Sequence, residues 1–242
     1  MNWYIPKEHG AWAMVMIPLL LGTFASIPNL FHLLFIIAVL SFYCGSGPIF
    51  AYIRRPKIGQ SIIPALAIYS GVGIIFIGPV LLYFPRISWL LAIMVPLFLL
   101  NIYFAKQKKE RLFINDAIGI GALSVLAMIM FYLGTGSELI TVHSFTLALL
   151  NFFFFIASVF HIKTFIRERG NQTFLYIARG YHLALVVIPF FAGLFPIALI
   201  FSASALKNWV MLPSKVFKPM VLGIIEIVNS IIFLVLVIIV FS

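Results

Sequence analysis

Charged and titratable side chains are scarce in this chain, and those that could do chemistry gather in three short segments. In "HIKTFIRERGN", His161 to Asn171, helical spacing pairs Lys163 with Arg167 and Thr164 with Glu168 at i and i+4. It also sets His161, Thr164, Glu168 and Asn171 along one stripe. Lys163 and Arg167 are donors suited to a phosphate, and Glu168 is a carboxylate that pairs locally or across helices. The plain alternative is a solvated charged helix end. In "NIYFAKQKKERLFINDAIGIGAL", Lys106, Lys108, Lys109 and Arg111 are explained as membrane-surface anchors, but Asn115 and Asp116 stand about one turn inside an apolar helix. A carboxylate facing lipid costs roughly 2.5 to 3.5 kcal/mol at a span centre. Asp116 is therefore expected to face the bundle or a wet cavity, as a functional group or a structural ion pair. Gly119 and Gly121 follow it and permit close helix contact. In "IPKEHGAWAM", Lys7, Glu8 and His9 form a polar lip at the start of an apolar run, where His9 exchanges a proton near neutral pH. An ordinary interfacial turn is the alternative.

Deeper in the apolar sequence, Glu226 with Asn229 is an intramembrane acid expected to face the bundle and to pair with a loop base or with Lys207. Asn101, Asn151, His143 and His182 read as interhelical hydrogen-bond partners. No HxxH or HExxH spacing supports a metal site. The single cysteine, Cys44, excludes an internal disulfide and a Cys-rich metal cluster.

The elements that must position these groups follow from composition. Of 242 residues 64% are hydrophobic and 9% charged, with a mean hydropathy of +1.18, which leaves too few polar side chains to cover a water-facing surface. The chain reads as one all-α, polytopic integral membrane domain over 1–242, without room for a soluble domain. Lys7 precedes an apolar run with no small-residue cleavage site, so the first span is read as retained. Breaking the apolar runs at charges, Pro and Gly gives nine spans, at about 10–26, 30–53, 60–83, 87–105, 112–134, 140–162, 177–192, 194–212 and 219–241. The seventh and eighth form either a hairpin around Gly193 to Pro196 or one long kinked helix.

Lys and Arg near span ends stay on the cytoplasmic side. With nine spans and the N-terminus inside, fifteen of the sixteen Lys and Arg fall inside and only Arg86 outside. This bias favours nine spans with the C-terminus outside, and it makes the net charge of +10 chiefly topological. Nucleic acid is not an expected partner, since charge spread over membrane-adjacent loops meets anionic lipid first. No repeat of the inverted transporter kind is visible.

The segments "PKEHGAWAM", "KKERLFINDAIGI" and "IKTFIRERGN", in this order and on inner loops, resemble the YwiC-like family of small bacterial membrane proteins over nearly the whole chain. That resemblance implies a multi-pass protein of the bacterial cell (cytoplasmic) membrane and no particular reaction. More distantly, nine spans with long polar inner segments after the second, fourth and sixth are similar to the UbiA superfamily of intramembrane prenyltransferases. There, Asp-rich motifs after the second and sixth spans hold magnesium and a prenyl diphosphate. In this chain the first motif would fall on "CGSGPIFAYIRRPKIGQ", which contains no carboxylate. The second would fall on "HIKTFIRERGNQTF", where Thr164, Arg167 and Asn171 stand at the acid spacing. Magnesium is usually held by one or two carboxylates plus phosphate, so neither magnesium nor another cofactor is expected. If the scaffold is shared, Arg54, Arg55, Lys163 and Arg167 would contact a phosphate-bearing lipid or isoprenoid directly.

The candidate substrate-binding residues are accordingly Lys7, Glu8, His9, Arg54, Arg55, Arg111, Asn115, Asp116, Lys163, Arg167, Glu168 and Asn171, with no catalytic residue and no metal ligand assigned. A UbiA-like lipid-handling protein, a degenerate or divergent transferase, predicts that Lys7, His9, Asp116, Lys163, Arg167 and Glu168 share one pocket open to the bilayer. A transporter needs polar groups through the midplane, whereas the outer half holds little beyond Glu138 and His143. A non-catalytic subunit or assembly factor, bound to a membrane-protein partner, predicts dispersed polar residues and no enclosed cavity. The first reading ranks ahead of the third because its residues occupy the loops that form a site in the resembling superfamily.

Overall fold

The computed structural model describes residues 3–5, 9–211 and 216–241, with only the backbone of His9. Among these residues the chain forms nine α-helices and no strand: α1 His9–Phe24, α2 Leu30–Arg54, α3 Ile63–Tyr83, α4 Ile87–Lys106, α5 Phe113–Thr135, α6 Val142–Ile166, α7 Gln172–Phe191, α8 Phe195–Val210 and α9 Pro219–Phe241. A 3-10 segment, Pro56–Ile62, leads into α3. Nine helices thus occupy the nine expected apolar stretches. Seven of them, α2 to α7 and α9, are long and apolar enough to cross a membrane. The other two, α1 and α8, have 16 residues each and rise about 24 Å, short of a hydrocarbon core of roughly 30 Å.

Helix ends are set by short polar residues placed where backbone N–H groups lack partners. The Asn29 side chain accepts from the Phe31 N–H at 2.9 Å, and the Asn29 N–H donates to His32 Nδ1 at 3.1 Å, a capping box at α2. His32 Nε2 then donates to the Met130 carbonyl of α5 at 2.9 Å, so the same imidazole caps one helix and ties it to another. Thr141 and Ser144 form the equivalent box at α6. The seventh and eighth stretches are two helices, not one. Gly193, at φ +77°, turns the chain after α7, and Pro196 starts α8 at a position whose missing N–H costs nothing.

Two apolar cores lie on either side of a wall made by α1 and α5. Ala13, Ile17 and Leu21 face one core with α6, α8 and α9, including Phe154 stacked on Phe233 at 4.0 Å. Val15 and Leu19 face the other with α2, α3 and α4. The wall is close-packed because Gly22 lies directly on the Ala127 backbone, leaving no space for a Cβ. Gly119 and Gly121, expected to make such approaches, meet only the Asn101 and Phe152 side chains at ordinary contact. The outer faces of α3, α4 and α7 are exposed and apolar, including Ile75, Leu82, Trp89, Ile188 and Phe191, as suits a surface solvated by lipid.

Successive helices alternate in direction. The starts of α1, α5, α7 and α9 therefore lie with the ends of α2, α4, α6 and α8, and this end carries the basic loops. Arg86 sits in the α3–α4 connection at the opposite end, near the Asn29 to Leu133 hydrogen bond of 2.8 Å.

Candidate functional site

At the basic end, the segments after α2, α4 and α6 meet. Arg54, at the end of α2, clasps Glu110 of the α4–α5 connection through Nε at 3.1 Å and Nη2 at 3.0 Å. The neighbouring Arg111 carbonyl accepts from Lys163 Nζ at 3.0 Å and from Arg167 Nη1 at 3.4 Å, which draws the end of α6 onto the same connection. Asn115 Nδ2 donates to the Glu110 carbonyl at 3.0 Å and holds that turn against α5. The result is a cleft of about 430 Å³ lined by Phe50, Arg54, Asn101, Glu110, Arg111, Asn115 and Arg167. Of its three guanidinium groups, only that of Arg54 lies within ion-pair distance of a carboxylate among the described residues.

A second cavity, of about 530 Å³, opens beside it between α1, α6 and α9. Asp116, Lys163 and Arg167 line it along with Gly10, Ala11, Val159, Ile162 and Met220, and Ser158 and Glu226 lie deeper. Arg167 lines both spaces. Lys163 is nearly buried and already committed: it bonds Asp116 Oδ2 at 2.8 Å, accepts company from the Phe113 ring at 5.5 Å, and donates to the Arg111 carbonyl. Its ammonium therefore fixes α6 to α5, while the exposed Arg167 and Arg111 are freer to meet an anion.

Glu226 anchors a buried polar cluster contributed by three helices. It accepts from Ser158 Oγ of α6 at 2.6 Å and from Lys207 Nζ of α8 at 2.5 Å, and His161 Nε2 lies 3.7 Å away. Asn208 Nδ2 and His161 Nδ1 are 3.1 Å apart. Pairing of Glu226 with Lys207 is as the sequence leads one to expect. Ser158, His161, Lys207 and Asn208 were not among the candidate site residues, and the Lys207 side chain is only 11% exposed.

The remaining candidates divide. Arg55, the residue just after α2, is exposed and lines neither space. Glu168 accepts from Asn171 Nδ2 at 2.9 Å, and Asn171 caps α7 by accepting from the Phe174 N–H at 3.1 Å, so these two build the α6–α7 turn. The helical stripe expected through His161, Thr164, Glu168 and Asn171 is broken, because α6 ends at Ile166 and Gly170 turns the chain at φ +86°. Lys7 and Glu8 lie outside the described residues, as does the side chain of His9. Of the polar residues expected to bridge helices, Asn151 does so, donating to Ser124 Oγ at 2.9 Å. Asn101 and His182 bond carbonyls of their own helices, and His143 stacks on Phe131 and meets Phe241 edge-on.

Among the described residues, no three His, Cys, Asp or Glu are grouped so that they could hold a metal ion.

Comparison with known proteins places these features in a family. The model of the YwiC-like protein family matches residues 5–131, which carry α1 to α4 and most of α5, with Arg54, Glu110, Arg111 and Asp116. The chain is 33% identical over 233 residues, 95% of each chain, to "Uncharacterized protein YwiC" of Bacillus subtilis (strain 168). It is 28% identical over 238 residues, 98% of each chain, to an "Uncharacterized protein" of Haemophilus influenzae (strain ATCC 51907 / DSM 11121 / KW20 / Rd). No solved structure gives a significant match. The family match over half of the chain, and a relative 33% identical over 95% of its length, agree: this protein, with its seven long apolar helices, belongs to the YwiC-like family.

Proposed function

We propose that this protein is a lipid-handling protein of the bacterial cell membrane that holds a phosphate-bearing lipid or isoprenoid head group in the arginine-lined cleft, without a metal. The observation that carries this reading is the meeting of Arg54, Arg111 and Arg167 around one space, with a single carboxylate partner among them. A guanidinium presents a planar fork of donors that fits phosphate oxygens in pairs, and it stays charged at every physiological pH. Asn101 and Asn115 add amides to the same lining. Arg167 borders the deeper cavity as well.

In this reading all nine helices cross the membrane, the bilayer thinning locally around the short α1 and α8, with the N-terminus inside and the basic end facing the cytoplasm, in an architecture like that of the UbiA superfamily. The charge bias supports that orientation, and the junction of the segments after α2, α4 and α6 supports the likeness. A transfer reaction on the bound head group would be that of a divergent or degenerate transferase. Its charge would be met by arginine where the superfamily uses magnesium.

Mass spectrometry of lipids that co-purify with the protein tests the reading. The expected result is enrichment of phosphate-bearing lipids over the bulk membrane, lost in Arg111→Ala/Arg167→Ala while the variant stays folded. Equal lipid profiles for both proteins would refute it.

A further inference from the structure

The cavity between α1, α6 and α9 is polar at two ends and apolar between them. Its rim holds Arg167 and the Asp116–Lys163 pair, which among the described residues leaves one net positive charge there. The Arg111 carbonyl takes one of the five Arg167 donors, at 3.4 Å. Its floor is Ser158 and Glu226, 3% and 2% exposed. Ile162 of α6, with Met220 and Gly223 of α9, lies between the two ends in the order of those helices. At the floor, Ser158 Oγ donates to Glu226 Oε2 at 2.6 Å, and Oε1 accepts from Lys207 at 2.5 Å. Neither Ser158 Oγ nor Oε2 has another proton to give, but both have further lone pairs, so together they accept a donor. An ammonium is the wrong donor: Lys207 already balances Glu226, and a second buried cation would stand unpaired. A hydroxyl is neutral and loses little when it exchanges water for this acceptor pair.

We propose that this cavity binds a single-chain hydroxy acid, its anionic head on Arg167, its chain along Ile162, Met220 and Gly223, and its terminal hydroxyl donating to Ser158 and Glu226. Helix geometry sets the length. Ser158 and Arg167, the residue that caps α6, are nine positions apart, a rise of about 13 Å that a straight chain of about ten carbons spans. The head is a carboxylate or a phosphate, since a guanidinium pairs with the oxygens of either. A chain ending in a methyl group would cover the floor without satisfying it, which is the basis of selection. The site stands apart from the head-group reading, because Arg54 and Arg111 line the arginine cleft and not this cavity, and Ser158 and Glu226 line the cavity and not the cleft.

Calorimetric titration of the full-length protein in nanodiscs with 10-hydroxydecanoate and with decanoate, each corrected for partition into empty nanodiscs, tests it. The expected result is saturable binding of both, the hydroxy acid about tenfold tighter, as one hydrogen bond to a charged group implies. The shorter pair, 6-hydroxyhexanoate and hexanoate, should show no such preference, because that hydroxyl cannot reach the floor while the head stays on Arg167. Arg167→Ala should weaken both longer acids alike. Ser158→Val, which removes the hydroxyl and lays a methyl group over the carboxylate, should abolish the preference while farnesyl phosphate binding is unchanged. Decanoate bound as tightly as its hydroxy acid, or an equal preference in the shorter pair, would overturn the proposal whether or not the variants fold. Farnesyl phosphate still bound in that case would leave the head-group reading standing, and its loss with the hydroxyl preference intact would do the reverse.

Discussion

Lys207 of α8 reaches Glu226 Oε1 of α9 at 2.5 Å, and Ser158 of α6 reaches the other oxygen of the same carboxylate at 2.6 Å. One buried acid therefore ties three helices together, in a bundle where apolar contact between lipid-solvated helices gives little orientation of its own. Both charges are almost fully withdrawn from solvent, so neither is stable without the other.

Removing one partner should be far worse than removing both. Lys207→Met is expected to destabilise the protein by about 3–5 kcal/mol, because the Glu226 charge is left buried and unpaired. Lys207→Met/Glu226→Leu should recover most of that loss. Unfolding in mixed micelles reads both, and equal stability of the single and double variants would count against the pair.

The Asp116–Lys163 pair should be more forgiving. Asp116 is 26% exposed at the side chain and Lys163 keeps the Arg111 carbonyl, so Asp116→Ala is expected to cost about 1–3 kcal/mol. Because Lys163 also steadies the turn that carries Arg111, the same change should weaken anionic-lipid binding without abolishing it. Unfolding and lipid-binding assays on one preparation separate the two effects.

Gly22 and Gly78 provide a contrast in packing. A methyl group at Gly22 meets the Ala127 backbone of α5, whereas Gly78 faces open space on α3. Gly22→Ala should destabilise by about 1–3 kcal/mol, through overpacking that backbone cannot relieve. Gly78→Ala should be neutral or slightly stabilising by thermal unfolding in detergent.

The proposed orientation predicts labelling from opposite sides. In a Cys44→Ser background, Lys109→Cys, in the exposed α4–α5 connection, should react with a membrane-impermeant maleimide only after the inner face is opened. Arg86→Cys, in the α3–α4 connection, should react in intact cells. Reversal of the two patterns would invert the assigned topology.

How much of this was legible in the sequence depended on what kind of signal each residue leaves. Apolar runs broken by charges located the helices, because a span must exceed a minimum length and its ends must be polar. Asp116 was found because a lone acid near a helix start is conspicuous. Ser158 and Asn208 were not, since a small polar residue in an apolar run has no periodic signature, and Ser158 meets Glu226 across 68 residues of chain. Lys207 was legible only as one of two possible partners for Glu226, the other being a loop base, because a positive charge near a span end obeys the topological rule whether it is buried or not. The stripe through Glu168 failed for a local reason: Gly170 and the Asn171 cap end one helix and start the next.

The central claim is that phosphate is recognised by arginine without a metal, and it is tested most directly by titrating the purified protein with farnesyl phosphate and with farnesol, each in the presence of magnesium and of EDTA. The account predicts saturable binding of the phosphate alone, equal in both conditions, and lost in Arg111→Ala/Arg167→Ala. Equal binding of the alcohol, a requirement for magnesium, or unchanged affinity in that variant would contradict it.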